Sequence, residues 1–192
     1  MVRNGNLTIQ SPVTFYNNGA SGAGTIIVKG DLRISAPITY EGSAVASVKK
    51  TPSVAWIVIK DDNENGGNII IDNCIPAPFP TSPAGAVILS GAFIAEGTIS
   101  TGHGGSSKGD KGAALPNSSN PCPAGSFGDN DLPLQVNGMM MANEFKFQRV
   151  YTGNDTGAES IRDDGRLIVN PHPGLEEAAK ALPVWRSNRF VP

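Results

Sequence analysis

The sequence is poor in charged residues, which fill 17% of its 192 positions against about 25% in ordinary soluble domains. Lys and Arg number 15 against 17 Asp and Glu, leaving a formal charge of −2. Binding a phosphate backbone needs a basic field, so nucleic acid is not an expected partner. Long apolar runs are also lacking. The longest, Val54 to Ile59, is strand-sized, far below the roughly 20 residues that span a bilayer, and no membrane span is expected. Met1-Val2-Arg3 leads into Asn-Gly-Asn-Leu-Thr-Ile without the basic, apolar and small-residue succession of a secretory signal. That start fits a cytoplasmic protein or a true beginning further upstream. The scarcity of Lys and Glu beside abundant Asn, Ser, Thr and Gly favours the second, an exported chain.

Chemically versatile residues are few. The two histidines, His103 in Thr-Gly-His-Gly-Gly and His172 in Pro-His-Pro, have no metal-ligand spacing and read as ordinary loop residues. No Gly-x-Ser-x-Gly elbow marks a serine hydrolase. The run Gly104 to Lys111 resembles a phosphate loop in composition and lacks its Gly-Lys-Ser/Thr order. Two cysteines, Cys74 and Cys122, each stand beside proline. They read as a disulfide closing a loop of about fifty residues, which would stabilise the fold by roughly 4 kcal/mol in an oxidising compartment, or as two unrelated thiols.

Glycine and proline, by contrast, are plentiful at 23 and 15. Such punctuation excludes a helix bundle. Short apolar segments open on glycine again and again: Gly24 to Val28, Gly30 to Ile34, Gly67 to Ile71, Gly97 to Ser100 and Gly138 to Met141. In Asn6-Leu-Thr-Ile9 and Asp31-Leu-Arg-Ile34 apolar and polar residues alternate, placing one face inward. Ser53 to Ile59 is nearly continuous and reads as a strand covered on both faces. Asn143 to Arg149 alternates cleanly, with Phe145 and Phe147 expected inward and Glu144, Lys146 and Gln148 outward. The expected fold is mainly β, an irregular parallel β-solenoid with one short C-terminal helix, and a β-sandwich is the alternative. Residues 4–100 would form solenoid rungs, 101–130 a long polar surface loop, 131–170 the final strands of the same domain, and 171–192 the short helix and tail. In that helix Leu175, Ala178, Ala179 and Leu182 recur at helical spacing before Pro183.

The strongest ligand-like pattern is Asp61-Asp62-Asn63-Glu64-Asn65-Gly66, the first half of a calcium loop, with Asp72 at its twelfth place. Asp61, Asn63, Asn65 and Asp72 are therefore candidate calcium ligands, although an acidic, Gly-ended stretch between strands also reads as a plain solvated turn. No cofactor is expected, calcium at this turn being the one candidate. Asp31, Arg33, Lys60, Asp61 and Asp62 could line a rung face as acids and bases, or lie as solvated charge on an outer face.

Several segments together resemble a known group: Pro52 to Ile59, Gly67 to Asp72, Gly91 to Gly102, Leu134 to Gly138 and Ala142 to Arg149. They are similar to the C-terminal β-solenoid module of exported surface or pilus-associated proteins from candidate-phyla bacteria of the Patescibacteria type, over about Gly24 to Trp185. Where such relatives carry Thr-Cys after Gly-Thr-Ile, this chain has Thr101-Gly102. The resemblance implies an adhesin-like module without catalytic residues, part of a longer exported chain. The expected function is thus a non-catalytic structural or adhesion module, extracellular or on the cell surface. Its expected partners are other segments of the same protein or surface filament, or a carbohydrate or host surface. The alternative is a carbohydrate-active β-helix lyase or hydrolase, recognisable by three or more acids or bases converging in one groove. A third reading is end-to-end polymerisation through an uncapped rung at Leu7 and Ile9.

Overall fold

A computed structural model describes residues 1–16, 22–41, 51–72, 87–101, 133–149, 159–170 and 172–173. Over these the chain is mainly β. Its strands are β1 (Val2–Asn4), β2 (Leu7–Ile9), β3 (Val13–Phe15), β4 (Ala23–Lys29), β5 (Leu32–Ile34), β6 (Ile38–Tyr40), β7 (Ser53–Ile59), β8 (Ile69–Ile71), β9 (Val87–Ser100), β10 (Leu134–Lys146) and β11 (Glu159–Arg162). One helical turn, α1 (Arg166–Val169), follows. The helix expected over 175–182 and both cysteines lie outside the described residues.

All eleven strands belong to one nearly closed, barrel-like sheet, and every pair of strands is parallel. Among the described residues the antiparallel layers of a β-sandwich are not formed. Three ladders run through the sheet. β1, β4, β7, β9 and β10 make one, β2, β5, β8, β9 and β10 the second, and β3, β6, β9, β10 and β11 the third. Val2 faces Ile27, Leu7 faces Leu32 and Val13 faces Ile38, the same step of 25 residues in each ladder.

The long strands β9 and β10 join the ladders by bending. Leu89 pairs with β6, Ala92 to Ala95 with β7, and Ile99 and Ser100 with β8. Glycine permits the bend: Gly91 (φ +143°) and Gly138 (φ +145°) face one another, and a Cβ on Gly138 would overlap the Gly91 carbonyl. No other residue tolerates both constraints. A polar column marks a second corner. Asp31 N donates to Asn6 Oδ1 (2.9 Å), Asn68 N to Asp31 Oδ1 (3.1 Å), Thr98 N to Asn68 Oδ1 (2.9 Å) and Thr98 Oγ1 to Glu144 Oε2 (3.0 Å).

Between the ladders lies the core. Leu7, Leu32, Ile69, Ile99 and Phe145 stack in register, as do Val13, Ile38, Leu89, Val136 and Ile161. Their inner members are fully buried, each contributing about 1.5–3 kcal/mol of apolar burial. Phe145 and Phe147, expected inside, are instead exposed (39% and 53%) and stack on each other with centroids 5.6 Å apart. Phe145 pairs with Ile99 and so shares its column. It is uncovered because, among the described residues, that column ends with it.

Candidate functional site

The acidic stretch after β7 forms a closed turn. Lys60 and Gly66 make an antiparallel bridge, and Asp61 Oδ1 accepts from the amides of Asn63 and Asn65, both at 2.9 Å. Asp62 meets Lys29 at 3.4 Å and Glu64 meets Lys60 at 3.2 Å. The turn thus gathers Asp61, Asn63 and Asn65, whereas Asp72 stands apart, beyond the end of β8. Among the described residues no three His, Cys, Asp or Glu side chains are grouped as a metal would need.

Asp72 is buried and serves a different cluster. Arg33 Nη2 donates to its Oδ1 at 2.8 Å, Ser35 Oγ donates to its Oδ2 at 2.5 Å, and Arg149 Nη2 donates to its backbone carbonyl at 2.6 Å. Arg149 N and Thr101 Oγ1 both donate to Glu159 Oε1, at 3.1 and 2.7 Å. These contacts tie one edge of the sheet together, and three segments depart from it. The chain leaves the described structure after Asp72, after Thr101 and after Arg149. It returns at Val87, Pro133 and Glu159, where Val87, Leu134 and Glu159 are successive partners in one ladder. Thr101 itself, expected to open a surface loop, is fully buried.

A second arrangement is built by the strap after β11. Asn170 Nδ2 donates to the Thr51 carbonyl (2.8 Å), His172 Nε2 shares a hydrogen bond with Ser53 Oγ (2.9 Å), and Thr25 Oγ1 donates to the Pro173 carbonyl (2.8 Å). His172 was read as an ordinary loop residue, yet it is 3% exposed and Ser53 is 2% exposed. Burial pushes its pKa below the usual histidine value. Nothing in Pro-His-Pro pointed to this, since the partner is far away in sequence. A serine beside an imidazole has the elements of a nucleophile and base, but here both are enclosed, and the pair fastens the strap to β7.

Beside the strap lies an open groove of about 450 Å³, lined by Tyr40, Asn137, Asp163, Asp164, Arg162 and Arg166 among others. The Arg166 guanidinium sits 5.0 Å from the centre of the Tyr40 ring and 3.7 Å from Asp164. The Tyr40 hydroxyl accepts from Val54 N at 2.8 Å, and burial pushes its pKa up to about 12. Two carboxylates therefore meet two guanidiniums in one polar depression. The other charges singled out in the sequence are dispersed: Asp31 belongs to the polar column, Arg33 to the Asp72 cluster, and Lys60, Asp61 and Asp62 to the turn. His103, Cys74 and Cys122 lie outside the described residues. No known protein family, curated protein or solved structure matches the chain.

Proposed function

We propose that the three ladders are the faces of a coiled β-solenoid, and that this solenoid is a non-catalytic structural module holding its inserted segments outward for contact. The single observation that carries the reading is the shared edge. Segments 73–86, 102–132 and 150–158 each leave after the second ladder and return to the third. Support for coiling comes from the uniform 25-residue step in the first ladder pairs. A rigid scaffold that roots several long connections at one edge is suited to recognition by those connections. The module would act on a surface or outside the cell, against other segments of a larger protein, a filament or a carbohydrate, in keeping with the resemblance to exported surface proteins.

The rival reading, a carbohydrate-active enzyme, would have to work in the groove beside Tyr40. There Asp163 and Asp164 converge with Arg162 and Arg166, so four charged groups share its lining, and Arg166 is engaged by Asp164 at 3.7 Å and by the Tyr40 ring. The test is incubation with a panel of acidic and neutral polysaccharides, scoring both retention and the release of reducing ends. Retention without release is expected, and retention should be lost when residues 103–131 are replaced by a short Gly-Ser link. Release of ends that disappears in Asp163→Asn or Asp164→Asn would overturn the proposal.

A further inference from the structure

Every large apolar side chain that stands exposed among the described residues belongs to the two ends of the stack. Met1, Val2 and Tyr16 lie at its first strands, and Met141, Phe145, Phe147 and Ile161 at its last. The intervening strands expose none. These side chains also terminate continuous columns. Val2, Ile27, Ile57, Ile94 and Met141 form one, Leu7 to Phe145 a second and Val13 to Ile161 a third, each apolar from first member to last. Phe147 lies two places beyond Phe145, as Ile9 lies two beyond Leu7.

With the coiled reading as premise, we propose that copies of this chain stack head to tail, the first strands of one copy adding to the last strands of the next. In that join Val2 continues the column of Met141, Leu7 that of Phe145, Ile9 meets Phe147 and Val13 meets Ile161. Strand direction is preserved, because every ladder is parallel. The polar corner offers a partner too: Asn6, Asp31 and Asn68 each accept from the amide one level on, Thr98 Oγ1 instead donates to Glu144, and the Glu144 carboxylate would take the Asn6 amide of the next copy as a further donor.

Continuity of the columns favours a second copy as the occupant, and charge does not oppose it. Residues 1–16 carry Arg3 and no carboxylate, and in β10 and β11 Glu144 and Glu159 are balanced by Lys146 and Arg162. The first edge also has little of the protection that keeps free strand edges apart, since Arg3 is the only charged residue in β1, β2 and β3. An interface of two different surfaces does not close on itself and grows into a chain.

The experiment is sedimentation velocity on the 192-residue chain and on two variants that each block one end at exposed positions. Val2→Lys blocks the head. Met141→Lys blocks the tail, with Ile161→Lys as a second tail variant should the first lose its fold by circular dichroism. The unaltered chain should show a mass that rises with concentration beyond twice the monomer. Each folded variant should form far smaller species by itself, and an equimolar mixture of head-blocked and tail-blocked chains should yield a one-to-one dimer that grows no further. A concentration-independent monomer, self-association unaffected by blocking either end, or a mixture that remains monomeric would each overturn the stacking. Amide exchange on the same samples separates this from failure of the coiled reading: protection following the three ladders in a strictly monomeric chain sinks the stacking alone, and protection that ignores the ladders sinks both.

Discussion

At the scale of single residues, the tightest constraint is Gly138, whose left-handed backbone and contact with Gly91 leave no room for a Cβ. Gly138→Ala should cost more than about 3 kcal/mol, combining backbone strain with overlap, and lower the thermal midpoint sharply. Gly165→Ala, where a Cβ meets nothing within 4 Å, should leave the midpoint nearly unchanged. Asp72 is the counterpart among charged residues. Asp72→Ala removes the buried carboxylate to which Arg33 and Ser35 donate and should cost about 3–5 kcal/mol, measured by urea unfolding. Two buried groups make stability depend on pH. His172 is held neutral by burial, so below about pH 6.5 the unfolded chain takes up a proton that the folded one resists, and stability falls with decreasing pH. His172→Gln should flatten that slope between about pH 5 and 6.5. Tyr40 ionises near 12 instead of 10, so its contribution is full below pH 10 and is lost as pH rises toward 12. Neither histidine burial nor the Asp72 cluster was legible in the sequence, because both depend on partners brought together from distant ladders.

At the scale of elements, strand identity was largely written in local pattern. The Gly-opened segments Gly24 to Val28, Gly30 to Ile34 and Gly67 to Ile71 became β4, β5 and β8, and Ser53 to Ile59 became β7. What pattern could not supply was continuity. The separate segments around Gly97 and Gly138 are parts of single strands of 14 and 13 residues, because a glycine at a corner permits a bend without breaking the ladder. β1, β3, β6 and β11 are not legible in the sequence, being only three or four residues long and defined only through their partners. The β9–β10 pairing spans the insertion 102–132, and that insertion should be dispensable for folding. Cutting it to about six residues removes loop-closure entropy, which grows only as the logarithm of length, for a gain of about 1.5 kcal/mol. The expected result is a retained β spectrum and an unchanged or slightly raised urea midpoint, and loss of cooperative unfolding would refute it.

At the scale of the whole molecule, the sequence conveyed the parallel β character through its glycine-opened repeats but left sandwich and solenoid open, since spacing does not encode strand direction. Registers decide direction, and they are a property of the assembled sheet. On the coiled reading proposed above, each level would touch mainly its neighbours and stability should vary along the axis. Amide exchange should be slowest for Trp56, Val58 and Phe93, which have strands on either side, and fastest for Val2 to Asn4, which pair on one side only among the described residues. The edge that roots the inserted segments has a geometric consequence of its own. Neighbouring strands lie about 4.8 Å apart, so the departures after Asp72, Thr101 and Arg149 occupy roughly 10 Å along the axis. A ligand that met all three departures need span only about 10 Å, a distance within reach of a single polymer chain and of a globular protein alike.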